Sequence, residues 1–245
     1  MTSALQRLAG EAWAFRAQVE HDAARRFTRL AGSISEFDAG SPAIELMLRA
    51  ADDERRHAVL CEELAAAYGQ LGSAQFPSSD KIAPGELQPR EAVLYEVVAS
   101  CCITETESVA TLTTLLAAEA TPRVKTVLHE IARDEVVHGR MGWAHLAREA
   151  ARRDVSFLAA WIPVMLSGTV DDKLFAKSPP EEDSEELLQH GVLPHSRKRE
   201  VFVGTLTDVV FPGLEKFGVS AGPARAWIEL HFVPAKFLRS SPHFG

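Results

Sequence analysis

Two five-residue stretches carry the same chemistry: Asp53-Glu54-Arg55-Arg56-His57 and Asp134-Glu135-Val136-Val137-His138, both Asp-Glu-x-x-His. On a helix, a glutamate and a histidine three positions apart project from one face, about one turn apart. Each stretch is therefore a two-donor clip, a carboxylate and an imidazole able to reach a single ion held beside the helix. Two donors do not fill the shell of a transition metal, so two clips call for further carboxylates from neighbouring helices. Glu20 and Glu54 lie 17 residues either side of position 37, in the loop expected between the first two helices. Glu105 and Glu135 lie 15 residues either side of Ala120, at the turn expected between the next two. In antiparallel hairpins the members of each pair sit opposite one another. Glu107 is the rival on the third helix, but it shares a face with Ser100, Thr104, Thr111 and Thr114, whereas Glu105 shares one with Val98, Cys101, Val109 and Leu112. The apolar face looks inward, which selects Glu105.

The candidate metal ligands are thus Glu20, Glu54, His57, Glu105, Glu135 and His138. Apolar residues flank them on the same faces: Trp13, Ala17, Ala24 and Phe27 around Glu20, Met47, Ala50, Ala58 and Cys61 around Glu54, Leu128 and Ile131 beside Glu135. Burying one ionised carboxylate costs several kcal/mol unless a cation or hydrogen bonds compensate it, and four together demand metal. Four carboxylates and two neutral imidazoles sum to a charge that two divalent ions neutralise. Oxygen-rich ligation with one imidazole per ion suits iron or manganese better than structural zinc, which prefers sulfur and nitrogen. Cys61 and Cys101, one turn from His57 and Glu105, read as small hydrophobes beside the site, Cys61 lining its pocket. His145 reads as a core histidine, with a third nitrogen ligand or proton relay as the less favoured role.

The elements that must position these residues are four long helices, at about residues 4–31, 41–68, 89–120 and 122–152, each roughly 40 Å long. Gly32 is expected to stop the first. Ser41 and Thr121 are expected to cap the second and fourth, each followed by a proline in the first turn. Gly69, Gly72, Pro77, Ser78, Ser79, Pro84, Gly85 and Pro89 mark a connection of about twenty residues, long enough to cross from one end of a bundle to the other. The reading is an all-α chain: a four-helix domain over 1–153, and over 154–245 a helical extension packed on it, with helices at about 156–166, 182–190, 196–214 and 221–233. Residues 171–183 read as an exposed polar connector without chemistry.

Composition excludes several classes. The 245 residues are 46% hydrophobic and 24% charged, and 26 basic against 34 acidic side chains give a net charge of −8, which repels nucleic acid. The best apolar run, Val155 to Val170, is short and broken by Pro163, so no membrane span is expected; the N-terminus lacks a signal-peptide layout, and the cytosol is the expected address. Three cysteines without a Cys-x-x-Cys support neither a disulfide framework nor a cysteine-rich zinc site.

On the paired clips and mirrored glutamates, the chain resembles the ferritin-like carboxylate-bridged di-iron superfamily over about residues 9–150. The resemblance implies a four-helix bundle with a long crossover between helices 2 and 3. It implies that Glu54 and Glu135 bridge two iron ions, an iron–manganese or manganese pair suiting the same donors, that His57 and His138 bind one ion each, and that Glu20 and Glu105 complete the shells. It further implies that Asp53 accepts from His138 and Asp134 from His57, fixing the metal-binding tautomer. Departures rank the branches. Cys61 stands where ribonucleotide reductase small subunits carry a radical-forming tyrosine. Ser108 replaces the extra glutamate of rubrerythrins, Arg55 the haem-ligating methionine of bacterioferritins, and Val109 the threonine usual in multicomponent monooxygenases. The expected function is a di-iron enzyme activating O2 or peroxide to oxidise a small organic substrate, with electrons from an external donor; a homodimer is compatible. A ferroxidase and a metal-stabilised, non-enzymatic helical scaffold are the alternatives. Ala17, Ala24, Ala50 and Ala58 either leave an apolar substrate cavity lidded by the C-terminal helices or let the helices pack closely.

Overall fold

The computed structural model describes residues 2–70, 81–170 and 172–232. Gly72, Pro77, Ser78, Ser79 and the end of the last expected helix lie outside them. About 80% of the chain is helical, and there is no strand among the described residues. The elements are α1 (Ser3–Phe37), α2 (Ala43–Ala67), α3 (Pro89–Val97), a π-helical segment (Val98–Thr104), α4 (Glu105–Ala117), α5 (Pro122–Ala150), α6 (Leu158–Thr169), α7 (His195–Thr205), a second π segment (Leu206–Val210), α8 (Phe211–Glu215) and α9 (Gly222–Phe232). No helix among the described residues is long and apolar enough to cross a membrane.

α1 packs along α2, and α5 packs on α4, on the first π segment and on α2. Two apolar layers result. One joins Trp13 and Ala17 of α1, Cys61 and Leu64 of α2, Leu112 and Leu115 of α4, and Val124 to Ile131 of α5. The other joins Ala23 to Ile34 of α1, Met47 to Ala51 of α2, Val97 and Cys101, and Met141 of α5. The six candidate ligands fall in sequence between these two sets on every element, so a polar layer lies between apolar ones. Ala17, Ala24, Ala50 and Ala58 are buried and do not line the cavity that reaches the site, as close helix packing requires.

Local structure departs from expectation in several places: the helix expected at 182–190 forms 3-10 turns at Pro180–Asp183 and Glu185–His190, the one expected at 196–214 is divided by a π segment, and four more departures bear on the site. α1 does not stop at Gly32 but runs five residues further, to Phe37. A helical glycine costs about 1 kcal/mol, whereas burying the Ile34 side chain returns about 1.5–3 kcal/mol, so burial wins. Asp38 ends the helix, its N–H donating to Ile34 O and its carboxylate accepting from Arg148 and Arg152 at the far end of α5. Neither Ser41 nor Thr121 caps through its side chain; Ser41 Oγ is buried without a hydrogen bond. The third helix is not continuous: its π segment carries i→i+5 bonding, the Glu105 N–H donating to Ser100 O and Thr104 Oγ1 to Ala99 O at 3.0 Å. The connector at 171–183 is not a free loop, for it forms 3-10 turns at Asp172–Phe175 and Pro180–Asp183 and buries Leu174.

The C-terminal third shares its core with the third helix. Leu94, Val98, Cys102 and Ile103 pack with Leu158, Ile162, Phe202, Leu206, Phe211 and Leu214 in the largest apolar cluster. Gly142 lets α5 approach the π segment: a Cβ there would lie 2.2 Å from Cys101 Cβ.

Candidate metal centre

The structure brings all six candidate ligands together. Their donor atoms form two groups whose members lie within 4.8 Å of one another: Glu20, Glu54, His57 and Glu135, and Glu54, Glu105, Glu135 and His138. Glu54 and Glu135 belong to both. Each hairpin contributes one clip and one further glutamate, and every one of the six is buried.

Contrast with the other buried carboxylates shows what this cluster lacks. Glu96 is paired with Arg29, and Glu149 accepts from Arg90 at 2.8 Å and Arg153 at 2.6 Å. Among the described residues, no lysine or arginine stands within ion-pair distance of Glu20, Glu54, Glu105 or Glu135; they meet only one another and the two histidines. Burial, then the charges of neighbouring carboxylates, raises Glu20 and Glu105 well above the usual carboxylate range, each beside the motif glutamate of its own hairpin, Glu54 or Glu135. Burial, followed by the Glu54 charge, brings Glu135 up to about 7. Burial opposes ionisation of Glu54 too, but hydrogen bonds from His138 and His57 outweigh it and hold that carboxyl at about 2. Burial likewise works against charging His138, yet bonds to Glu135 and Glu54 lift it to about 12. Protons therefore stand in for cations in the metal-free cluster.

Both imidazoles turn Nδ1 inward. His57 Nδ1 lies 3.0 Å from Glu54 Oε2 and 3.7 Å from Glu135 Oε1. His138 Nδ1 lies 3.0 Å from Glu54 Oε1 and 3.2 Å from Glu135 Oε2. Their Nε2 atoms face outward to the opposite motif, His57 to Asp134 Oδ2 at 3.2 Å and His138 to Asp53 Oδ2 at 3.3 Å. Arg56 ties the two aspartates, meeting Asp53 at 3.0 Å and Asp134 at 2.5 Å, and Arg133 adds a bond to Asp134 at 2.9 Å. With Nε2–H donating to aspartate, the Nδ1 lone pair points at the space between the carboxylates. Glu54 therefore faces an imidazole with each oxygen, Oε1 at 3.0 Å from His138 Nδ1 and Oε2 at 3.0 Å from His57 Nδ1. Inward-facing imidazole nitrogens and an all-oxygen-and-nitrogen donor set could hold a metal ion, with four protein donors in each group.

A cavity of about 550 Å³ reaches the cluster from one side. Glu20, Glu105 and Glu135 form part of its wall, with α1 residues on one flank, Ser100 to Leu112 on another, and Lys173, Glu182 and Leu187 to Lys198 as a cover. The connector at 171–183 therefore borders the site. Glu107 lies on this wall and not in the ligand cluster, its carboxylate accepting from Thr111 Oγ1 at 2.9 Å. Cys61 is fully buried in the apolar layer below the centre and does not line the cavity. Burial pushes its thiol upward, as it does those of Cys101 and Cys102, so none is a ready thiolate. His145 is buried, with its Nδ1 unbonded, outside both ligand groups. Sequence reasoning missed the cavity's basic residues Arg16, Arg26, Lys173 and Lys198, of which the first two occur on α1 close to Glu20.

Neither a family profile, a curated protein nor a solved structure matches the chain, so the likeness to di-iron proteins rests on the residues themselves.

Proposed function

We propose that the chain is a ferritin-like bundle, two antiparallel hairpins joined by a long crossover between helices 2 and 3, that holds a carboxylate-bridged pair of iron ions and activates O2 or peroxide to oxidise a small organic substrate. The observation that carries this reading is the convergence of six buried donors from four elements, two of them shared between the two groups, with no lysine or arginine within ion-pair distance of the four carboxylates among the described residues. Glu54 and Glu135 are the bridging ligands; Glu20 with His57 and Glu105 with His138 are the terminal ones. When bound, a pair of redox-active ions supplies the electrons and the Lewis acidity that O2 reduction needs.

The chain's own residues do the rest. Asp53 and Asp134 hold protons at Nε2 of His138 and His57, keeping Nδ1 available. The apolar layers above and below close the centre along the bundle, which leaves the cavity as its approach. The cavity beside Glu20, Glu105 and Glu135 offers an organic molecule room within reach of the ligands, which favours such a substrate over Fe²⁺ itself. Electrons come from an external donor. Anaerobic loading with Fe²⁺ should saturate at two ions per chain, and admission of O2 or peroxide should produce an optical change at that stoichiometry. A loaded protein inert to both oxidants would replace the enzyme with a metal-stabilised scaffold.

A further inference from the structure

We propose that the cavity takes an organic acid, a molecule with an apolar body and one carboxylate, and that Arg16 is the group that holds the carboxylate. This names a substrate class for the proposed centre and rests on that reading. Four buried polar atoms without hydrogen-bond partners belong to residues of this one cavity wall: Arg16 Nη1, Arg26 Nε, Ser100 Oγ and His195 Nε2. They are half of the eight such atoms among the described residues, and their occurrence in one wall points to a polar occupant there.

Arg16 is the best placed of them. Its guanidinium lies over the Trp13 ring, 4.6 Å from the centroid, and the Trp13 indole N–H is itself fixed on His190 O at 2.8 Å. The fork is therefore pre-positioned, one helical turn from Glu20. Arg16 makes no ion pair among the described residues; the anions its charge reaches are Glu20 and Glu107. Once metal ions neutralise Glu20 and its partners, and with Glu107 set against the Lys198 charge, the Arg16 cation is left without a counterion. A carboxylate matches its planar fork in both charge and geometry. Ala12, Leu112, Leu187 and Leu193 supply apolar lining to the same cavity for the acid's body, and its wall also carries Glu105 and Glu135.

Full-length protein, loaded with Mn²⁺ to avoid turnover, is titrated with 4-phenylbutyrate and with its neutral amide, binding being read from tryptophan fluorescence and calorimetry. The acid should bind about tenfold more tightly than the amide or better, the size of a charge-assisted hydrogen bond. Arg16→Gln should erase that preference while leaving the metal content at two ions per chain. Ala12→Trp, which fills the apolar end and keeps Arg16, should abolish binding of both compounds, and it carries the test if Arg16→Gln does not fold. Equal affinity for acid and amide, no binding of either at millimolar concentration, or an undiminished preference in Arg16→Gln would overturn the assignment. Failure to take up two ions would instead sink the metal centre, so the two failures are read from different measurements.

Discussion

Asp53→Asn isolates the outer partner of one ligand. In the folded chain Asp53 Oδ2 stands 3.3 Å from His138 Nε2, while Oδ1 is anchored by Arg56 at 3.0 Å, so the carboxylate cannot swing away. The amide is isosteric but offers two poor choices. If its oxygen faces Nε2, a neutral acceptor replaces a charged one; if its NH2 faces Nε2, the imidazole must carry its proton on Nδ1, the atom 3.0 Å from Glu54 Oε1, and it can no longer bind metal. Loss of such a partner costs about ten- to a hundredfold in metal affinity, about 1.4–2.7 kcal/mol. Asp53 is 30% exposed, against 13% for Asp134, so solvent screens part of its charge and the loss belongs near the lower end. Only the ion held through His138 should suffer. A chelator-competition titration should therefore turn biphasic in Asp53→Asn, one site unchanged and one weakened about tenfold, with metal-free unfolding within a few degrees of the parent. Two unchanged sites would refute the roles given to Asp53 and His138, and equal weakening of both would refute the pairing of each aspartate with one ion.

Glu54→Ala or Glu135→Ala should abolish uptake of the second ion, because each removes a donor from both groups, whereas Glu107→Ala should leave the stoichiometry at two; elemental analysis decides, and the reverse pattern would transfer the third-helix role to Glu107. Acidity should act on the metal-free and loaded forms in opposite senses. Glu135, raised to about 7 by burial and the Glu54 charge, stabilises the metal-free fold below pH 4.5 and loses that contribution by about pH 7. His138, raised to about 12, contributes fully below pH 6.5 and loses its share as pH climbs toward 12, while Glu54, lowered to about 2, loses its own as pH falls from 4.5. Metal displaces the protons, so the gap in melting temperature between loaded and metal-free protein should widen from pH 5 to 8, and a flat gap would count against proton–metal exchange. Gly142→Ala, with its Cβ 2.2 Å from Cys101 Cβ, should cost about 1–3 kcal/mol, each kcal/mol lowering the melting temperature by about 2–4 °C, whereas Gly32→Ala, which meets nothing within 4 Å, should gain up to about 1 kcal/mol.

The ligand cluster was legible because antiparallel hairpins turn distance into arithmetic: Glu20 against Glu54 and Glu105 against Glu135 need only a turn position and a helical period. The facing of Glu105 over Glu107 was legible for the same reason, as a contrast between an apolar and a hydroxyl-rich face. The π segment was not, since a slip of one residue in register leaves residue types unchanged and is written only in backbone bonds such as Glu105 N–H to Ser100 O. The end of α1 was misplaced because Gly32 is a local signal and Ile34 burial a tertiary one. Likewise the cover formed by 182–198 depends on Gly191, whose φ of +72° admits the chain against Trp13; a Cβ there would meet that ring at 2.6 Å. A glycine followed by Val-Leu-Pro was the available hint. Arg16 and Trp13, three apart on α1, carried a stronger one, a cation beside an aromatic on a face otherwise apolar.

The proton-filled cluster also decides which experiment can separate an enzyme from a scaffold. Four carboxyls and two imidazoles in the metal-free cluster hold protons that a bound ion displaces, so any divalent ion that replaces those protons will stabilise the fold. Zn²⁺, Mn²⁺ and Fe²⁺ should all raise the melting temperature, whether or not the protein is a catalyst. A thermal shift thus tests the ligands and says nothing about chemistry. Redox activity is confined to ions that can change valence, and a scaffold has no reason to keep a cavity open beside them. Fe²⁺-loaded protein that reacts with O2 faster when an organic acid occupies the cavity would require both the centre and the cavity to act in one reaction, an outcome that stabilisation alone cannot produce.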